Sequence, residues 1–198
     1  MIRAFVAIPL PEALCHRLAG LTKQLQRELP TVRWSRSETL HLTLRFFGDI
    51  AEESLEKIAE IMLSIGRLHP PFVAELTGLG AFTAADRAQV FWLGVRDPGA
   101  LAVLYAALEQ RLPEAGIPRE QRPYTPHLTL GRQRGRGLAA GPVLARFRAV
   151  ECGPLPVSRL ILYESRLQPG GALHIPRYSV PLGGAAGGTS TNPQSADN

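Results

Sequence analysis

His41-Leu42-Thr43-Leu44 returns 86 residues later as His127-Leu128-Thr129-Leu130, so two of the five histidines of this chain stand in identical settings. In an extended chain successive side chains face opposite ways, which sets His41 beside Thr43 and His127 beside Thr129, each pair on the face opposite its leucines. An ordinary histidine titrates near pH ~6.5, so two of them across a cleft can hold one neutral base and one protonated acid around neutrality. That is the pair needed to cleave a phosphodiester. One ring takes a proton from the attacking water and the other gives a proton to the leaving oxygen, each step worth roughly 10²- to 10⁴-fold. The threonine hydroxyls can donate hydrogens to the non-bridging oxygens whose charge must be held through the reaction. Taken singly, each copy reads equally well as a half-buried strand with its polar side chains in water.

Other chemistries lack their residues. There is no H-E-x-x-H, no Cys/His cluster and no acidic set at calcium-loop spacing, so no metal is expected. No G-x-x-x-x-G-K-[ST] is present to cradle a nucleotide triphosphate, and no cofactor is expected. Cys15 and Cys152 have no C-x-x-C spacing and lie in apolar contexts, which reads as two reduced, buried thiols in a cytoplasmic protein.

The elements that must position the histidines come from a chain of 198 residues and 45% hydrophobic content, enough for one well-buried core or two small lobes. No apolar run reaches the roughly 18 residues of a membrane helix, and Pro9 and Pro11 interrupt the apolar opening too early for a secretory signal. The formal charge is +5, and of the 22 basic residues only Lys23 and Lys57 are lysines. Guanidinium forks bind phosphate in two-point fashion, which fits an acidic or phosphorylated partner, although arginine richness also arises from background composition.

Residues 3 to 8 read as a strand, and Pro11 then opens a helix with Leu14, Leu18, Leu21 and Leu25 on one stripe, leaving His16 to solvent. Pro30 ends the helix, Val32 to Trp34 read as a short strand, and the His41 strand follows, closed by Phe46-Phe47-Gly48-Asp49. Leu55, Ile58, Ala59, Met62 and Ile65 mark a second helix ending near Gly66. His69 falls in a Pro-rich linker. Strands are expected at Phe72 to Leu76 and Val90 to Leu93, with a turn around Gly78 and Gly80 between them. Asp97-Pro98 caps a third helix carrying Leu101, Leu104, Leu108 and Leu112, stopped by Pro113. Beyond the His127 strand, Arg132, Arg134 and Arg136 recur at period two and can share a strand face, as a solvated strand end or a phosphate clamp. A short helix at Val143 to Arg146 and two strands, Arg159 to Arg166 and Ala172 to Val180, complete the folded part. His174, on that last hairpin, reads as packing or surface. Residues 1–182 therefore form a single domain in which a helix-then-histidine-strand pattern occurs twice, implying two similar lobes with the histidine strands between them; 183–198, rich in Gly, Ala and Ser without apolar periodicity, read as a disordered tail.

The two H-L-T-L copies resemble the paired H-x-T-x signatures of the 2H phosphoesterase superfamily. The rest of the chain is similar to its bacterial RNA 2',3'-cyclic phosphodiesterase branch, also called the RNA 2',5'-ligase family. The likeness runs through Arg3-Ala-Phe-Val-Ala-Ile-Pro-Leu-Pro11, Arg45-Phe-Phe-Gly48, Leu79-Gly-Ala-Phe82, Phe91-Trp92, Pro126-His127-Leu-Thr-Leu-Gly-Arg132, Leu162-Tyr-Glu-Ser165 and Tyr178. It implies an α+β, two-lobed fold with antiparallel sheets forming a central groove and helices outside. It further implies metal-independent hydrolysis of RNA or nucleotide 2',3'-cyclic phosphate ends to 2'-phosphomonoesters; separately, a monomer is expected. Carried over by position, His41 is the acid on the departing 3'-oxygen and His127 the base on water. Thr43, Thr129 and Arg132 hold the phosphate, and Phe46 stacks on a base. Phe47 stands where most relatives have leucine, which leaves base preference open.

Two other readings share these residues. The same site can join broken RNA ends through a 2',5' linkage without ATP, because the cyclic phosphate carries the energy. A non-catalytic RNA-binding module would use the basic groove without turnover, but binding alone needs no acid-base pair.

Overall fold

Which strands pair, and where the pairing slips, decides what faces the histidines. The computed structural model describes residues 1–84, 87–168 and 171–183. Strand β1, Ile2–Pro9, leads into helix α1, Glu12–Glu28; β2, Arg33–Trp34, and a single 3-10 turn precede β3, His41–Ile50, and helix α2, Ser54–Leu68. Strands β4, Phe72–Ala84, and β5, Arg87–Arg96, are followed by α3, Ala100–Arg111, then β6, His127–Arg132, α4, Gly141–Arg146, β7, Glu151–Val157, β8, Arg159–Gln168, and β9, Gly171–Pro181. Two antiparallel sheets result, one ordered β3-β1-β8-β9 and the other β2-β6-β5-β4-β7. His41 opens the edge strand of the first and His127 opens the second strand of the other, and β3 and β6 come together where the sheets meet.

The leucine stripes do what their spacing predicts. Leu14, Leu18, Leu21 and Leu25 of α1 are buried, as are Leu101, Leu104, Leu108 and Leu112 of the α3 segment, and they join one apolar core with Val6, Ile8, Leu42, Leu93, Leu128 and Leu162 from both sheets. His16 stays outside, 3.9 Å from Glu12 one turn earlier. Asp97 Oδ1 accepts from the backbone N–H groups of Gly99 and Leu101, satisfying donors that the first turn of α3 leaves open.

The sequence expectations fail where glycine was taken as punctuation. Gly78 and Gly80 do not make a turn: β4 runs through both, with a bulge at Gly78, whose φ of 71° belongs to glycine. Gly80 is small for a packing reason, since a Cβ there would lie 2.2 Å from the Trp92 ring. Helix α2 ends near Gly66 as expected, at Leu68, but the glycine's role there is packing: a Cβ at Gly66 would meet the Pro181 carbonyl at 2.5 Å, so it lets α2 lie directly on β9. The His41 strand runs through Phe46-Phe47-Gly48-Asp49 and ends at Ile50. Arg132, Arg134 and Arg136 do not share a strand face, because β6 ends at Arg132 and Gly135, with φ of 67°, carries the chain away. The expected tail from residue 184, and residues 169 and 170 of the last hairpin, lie outside the described residues.

Candidate active site

The two histidine strands share one irregularity. Along β3, Thr43 pairs with Ala7 and Arg45 with Val6, leaving Leu44 as an extra residue; along β6, Thr129 pairs with Trp92 and Gly131 with Phe91, leaving Leu130 extra. The fourth residue of each H-L-T-L copy is therefore a bulge. Strict alternation would put Arg132 on the leucine face. After the bulge it pairs with Val90, which shares a face with Trp92 and Gly94, the partners of Thr129 and His127. Phe46 is returned to the face of His41 and Thr43 in the same way, through its pairing with Phe5. Thus His41, Thr43 and Phe46 share one sheet face, and His127, Thr129 and Arg132 share the equivalent face of the other sheet. Phe46 is 43% exposed, with the Arg3 guanidinium 4.7 Å from its ring centre.

Each ring is oriented by the same device. His41 Nδ1 lies 2.9 Å from the Thr39 carbonyl and His127 Nδ1 lies 2.7 Å from the Thr125 carbonyl, two residues upstream in both cases. A carbonyl only accepts, so each Nδ1 carries the hydrogen and each Nε2 is left with a lone pair to take a proton. Aromatic side chains then fix the ring planes. His41 stacks on Phe5 at 4.7 Å, with Tyr163 and His174 alongside, and His127 meets Phe82 edge-on at 4.8 Å with Trp92 at 6.4 Å. Burial among these rings pushes His41 from its ordinary value of 6.5 down to about 4, against the opposing pull of the Thr39 carbonyl and aided by the nearby His174. Burial also lowers His174.

Behind the site an ionic latch joins the two motifs. Arg45 lies 2.8 Å from Glu109 of α3, an approach held by charge rather than by an aligned hydrogen bond, and 3.1 Å from Glu120, while donating to the Pro118 carbonyl at 2.9 Å. Glu109 in turn accepts from the Glu120 backbone N–H, and Tyr124 donates to the Thr43 carbonyl at 3.4 Å. Hydrogen bonds from Arg122, with the charge of Arg45, hold the Glu120 carboxyl at about 2, so Glu120 keeps its charge well into acid. The segment leading into His127 is thereby fastened to the strand that carries His41.

His41, Thr43 and Phe46 thus share one sheet face and His127, Thr129 and Arg132 a face of the other sheet, on strands β3 and β6 that come together; Arg134 and Arg136 lie beyond the strand end. Sequence reasoning missed Phe5, Phe82, Trp92, Tyr163 and His174. Phe5, Phe82, Trp92 and Tyr163 lie in stretches that carry the family likeness, yet nothing in their spacing ties them to the histidines, and the strand of His174 gave no second copy of the motif to compare. Among the described residues no group of three His, Cys, Asp or Glu side chains is placed to hold a metal.

Comparison with known proteins gives one consistent picture. The family model described as the 2'-5' RNA ligase superfamily matches residues 10–168. Curated relatives called RNA 2',3'-cyclic phosphodiesterase include one from Methanothermobacter thermautotrophicus, 33% identical over 87% of this chain and 95% of its own length, and one from Aeropyrum pernix, 35% identical over 83% and 94%. Among solved structures, TT0787 of Thermus thermophilus superposes with a TM-score of 0.76 at 29% identity, over 93% of this chain and all of that one. Apo E. coli LigT gives 0.71 at 26% identity over 91% and 97%, and a LigT structure complexed with 3'-AMP gives 0.71 at 25%, over 91% and 98%.

Proposed function

The chain belongs to the 2'-5' RNA ligase superfamily, and we propose that it hydrolyses RNA or nucleotide 2',3'-cyclic phosphate ends to 2'-phosphomonoesters by paired-histidine acid-base catalysis without a metal. The observation that carries this is the matched pair of rings, each with its Nδ1 hydrogen committed to a backbone carbonyl and its Nε2 left to move a proton.

In the proposed step His127 Nε2 takes a proton from water as the water oxygen bonds to phosphorus. The bond from phosphorus to the ribose 3'-oxygen breaks, and His41 Nε2–H supplies that oxygen's proton. The product is a 2'-phosphate with a free 3'-hydroxyl, and solvent resets the two rings. His41, held neutral in the free site by burial, receives its proton once the anionic phosphodiester is beside it, since an adjacent negative charge favours the imidazolium. Thr43 and Thr129 donate to the non-bridging oxygens and Arg132 faces the same charge. Phe46, half-exposed on the His41 face, offers a stacking surface for a base.

An RNA strand as partner is supported by the segment from 121 to 150, which contains six arginines and no acidic residue. The site is built within one chain, in keeping with a monomer. A cytoplasmic setting fits the two free thiols, and among the described residues no helix is long and apolar enough to cross a membrane. Incubation with 2',3'-cyclic AMP in EDTA is expected to yield 2'-AMP, and His41→Ala and His127→Ala are each expected to abolish turnover while remaining folded. Turnover retained by both variants, or a 3'-phosphate product, would refute the proposal.

A further inference from the structure

We infer that His174 is a positioning residue for His41, holding the ring plane so that Nε2 meets the reacting phosphate; the catalytic half of this rests on the hydrolase reading above.

The argument starts from sheet order. His41 lies on β3 and His174 on β9, the two edge strands of the four-stranded sheet, three strand spacings apart. At ~4.8 Å per spacing a flat sheet would separate them by about 14 Å. Their ring centres are 5.0 Å apart, with planes at 84°. The sheet is therefore curled, and the two edges converge over the middle strands. Phe5 of β1 and Tyr163 of β8 fill the hollow, so each of the four strands gives one ring to a single cluster whose centre-to-centre distances run from 4.7 to 6.4 Å.

Within that cluster His41 has three restraints. The Thr39 carbonyl fixes Nδ1, Phe5 lies against one face, and His174 stands perpendicular to both His41 and Phe5 at 5.0 Å from each. The carbonyl alone leaves the imidazole free to rock about the Nδ1–H···O axis. Phe5 limits the rocking on one side, and His174 closes the edge. Among the described residues the buried His174 Nδ1 has no hydrogen-bond partner, which a neutral ring tolerates by placing a lone pair, not an N–H, in that position. The titratable groups of the cluster are His41, His174 and Tyr163, and burial keeps the Tyr163 phenol protonated. Loss of ring control at this level is costly, since a displacement of about 1 Å of a reacting group lowers rates by roughly 10²-fold.

The test compares H174A with H174F, which keeps a planar ring. H174A is expected to lower kcat roughly 10- to 100-fold with KM little changed, and H174F to restore most of kcat. In NMR titrations of the free proteins, the His41 midpoint of about 4 should rise in H174A, as water reaches the ring edge, and stay low in H174F. His174→Leu, which fills the volume without a ring plane, should lower kcat as H174A does while the His41 midpoint stays low, and it replaces H174A in the kinetic comparison should alanine unfold the chain. Unchanged kcat in H174A or H174L would overturn the inference, as would an unchanged His41 midpoint in H174A or an H174F as impaired as H174A. The NMR arm needs no turnover, so a parent protein inactive on cyclic phosphates would refute the hydrolase reading while leaving the control of the His41 ring by His174 decided.

Discussion

Replacing His41 by glutamine should change how stability depends on pH, in a direction and by an amount that follow from the aromatic cluster. Burial moves the folded-state titration of His41 from 6.5 to about 4, with the charge of a protonated His174 adding to the shift and the Thr39 carbonyl opposing it. At about 1.4 kcal/mol per pH unit, the fold disfavours the imidazolium by roughly 3 kcal/mol. The unfolded chain takes up its proton near pH 6.5 and the folded chain only near 4. Between those values the unfolded state holds the extra proton, so stability falls as the solution is acidified across this window and levels off below it. Above 6.5 the ring is neutral in both states and contributes nothing to the slope.

Urea unfolding of the parent protein and H41Q at pH 7, 6, 5 and 4 measures this directly. Groups common to both proteins, His174 included, largely cancel in the difference between the two curves. The stability of the parent relative to H41Q is expected to drop by about 3 kcal/mol from pH 7 to pH 4, most of it below pH 6. A difference that stays constant over the range would mean that His41 titrates at its ordinary value in the folded chain. The ring would then be open to water, and both the aromatic enclosure and the need for the substrate's charge to favour its protonation would be wrong.

Two further substitutions test the scaffold. Gly80→Ala places a Cβ within 2.2 to 2.6 Å of three Trp92 ring atoms; a loss of roughly 1–3 kcal/mol in chemical denaturation and a fall in kcat are expected, because Trp92 borders His127. Arg45→Met leaves Glu109 buried beside α3 without its cation, with an expected cost of roughly 3–5 kcal/mol in urea unfolding, and the double variant R45M/E109L should recover most of it.

Much of this architecture was legible in the sequence because period and punctuation were strong. The leucine stripes of α1 and α3 sit in the core, and the histidine strands sit where their alternation put them. What could not be read were features set by partners distant in the chain. Gly66 and Gly80 look like turn signals, yet each is small because something arrives from elsewhere, the Pro181 carbonyl in one case and the Trp92 indole in the other. His174 looked unremarkable because its meaning lies in sheet curvature, which brings opposite edges together and leaves no mark in local pattern. Bulges are equally silent. Strict alternation from His127 puts Arg132 on the leucine face, and only the extra residue at Leu130 turns it toward the histidine.

The repeated bulge also gives the two copies of a duplicated motif different surroundings. Counting five residues on from each histidine reaches the first side chain that the bulge returns to the catalytic face: Phe46 in one copy, Arg132 in the other. The intervening position turns inward in both, and there one copy places Arg45, the centre of the latch, while the other places Gly131, where a Cβ would lie 2.8 Å from the Trp34 ring. Identical backbone geometry thus presents an aromatic surface on one side of the site and a guanidinium on the other. The rings differ in the same sense, with His41 enclosed by three aromatic side chains of a curled sheet and His127 bordered by two. A cyclic phosphate has the matching inequality, a base on one side of the ribose and charge concentrated on the phosphorus. In the proposed mechanism the symmetry of the motif supplies two proton-transfer groups, and the asymmetry of their surroundings sets which way round the substrate lies.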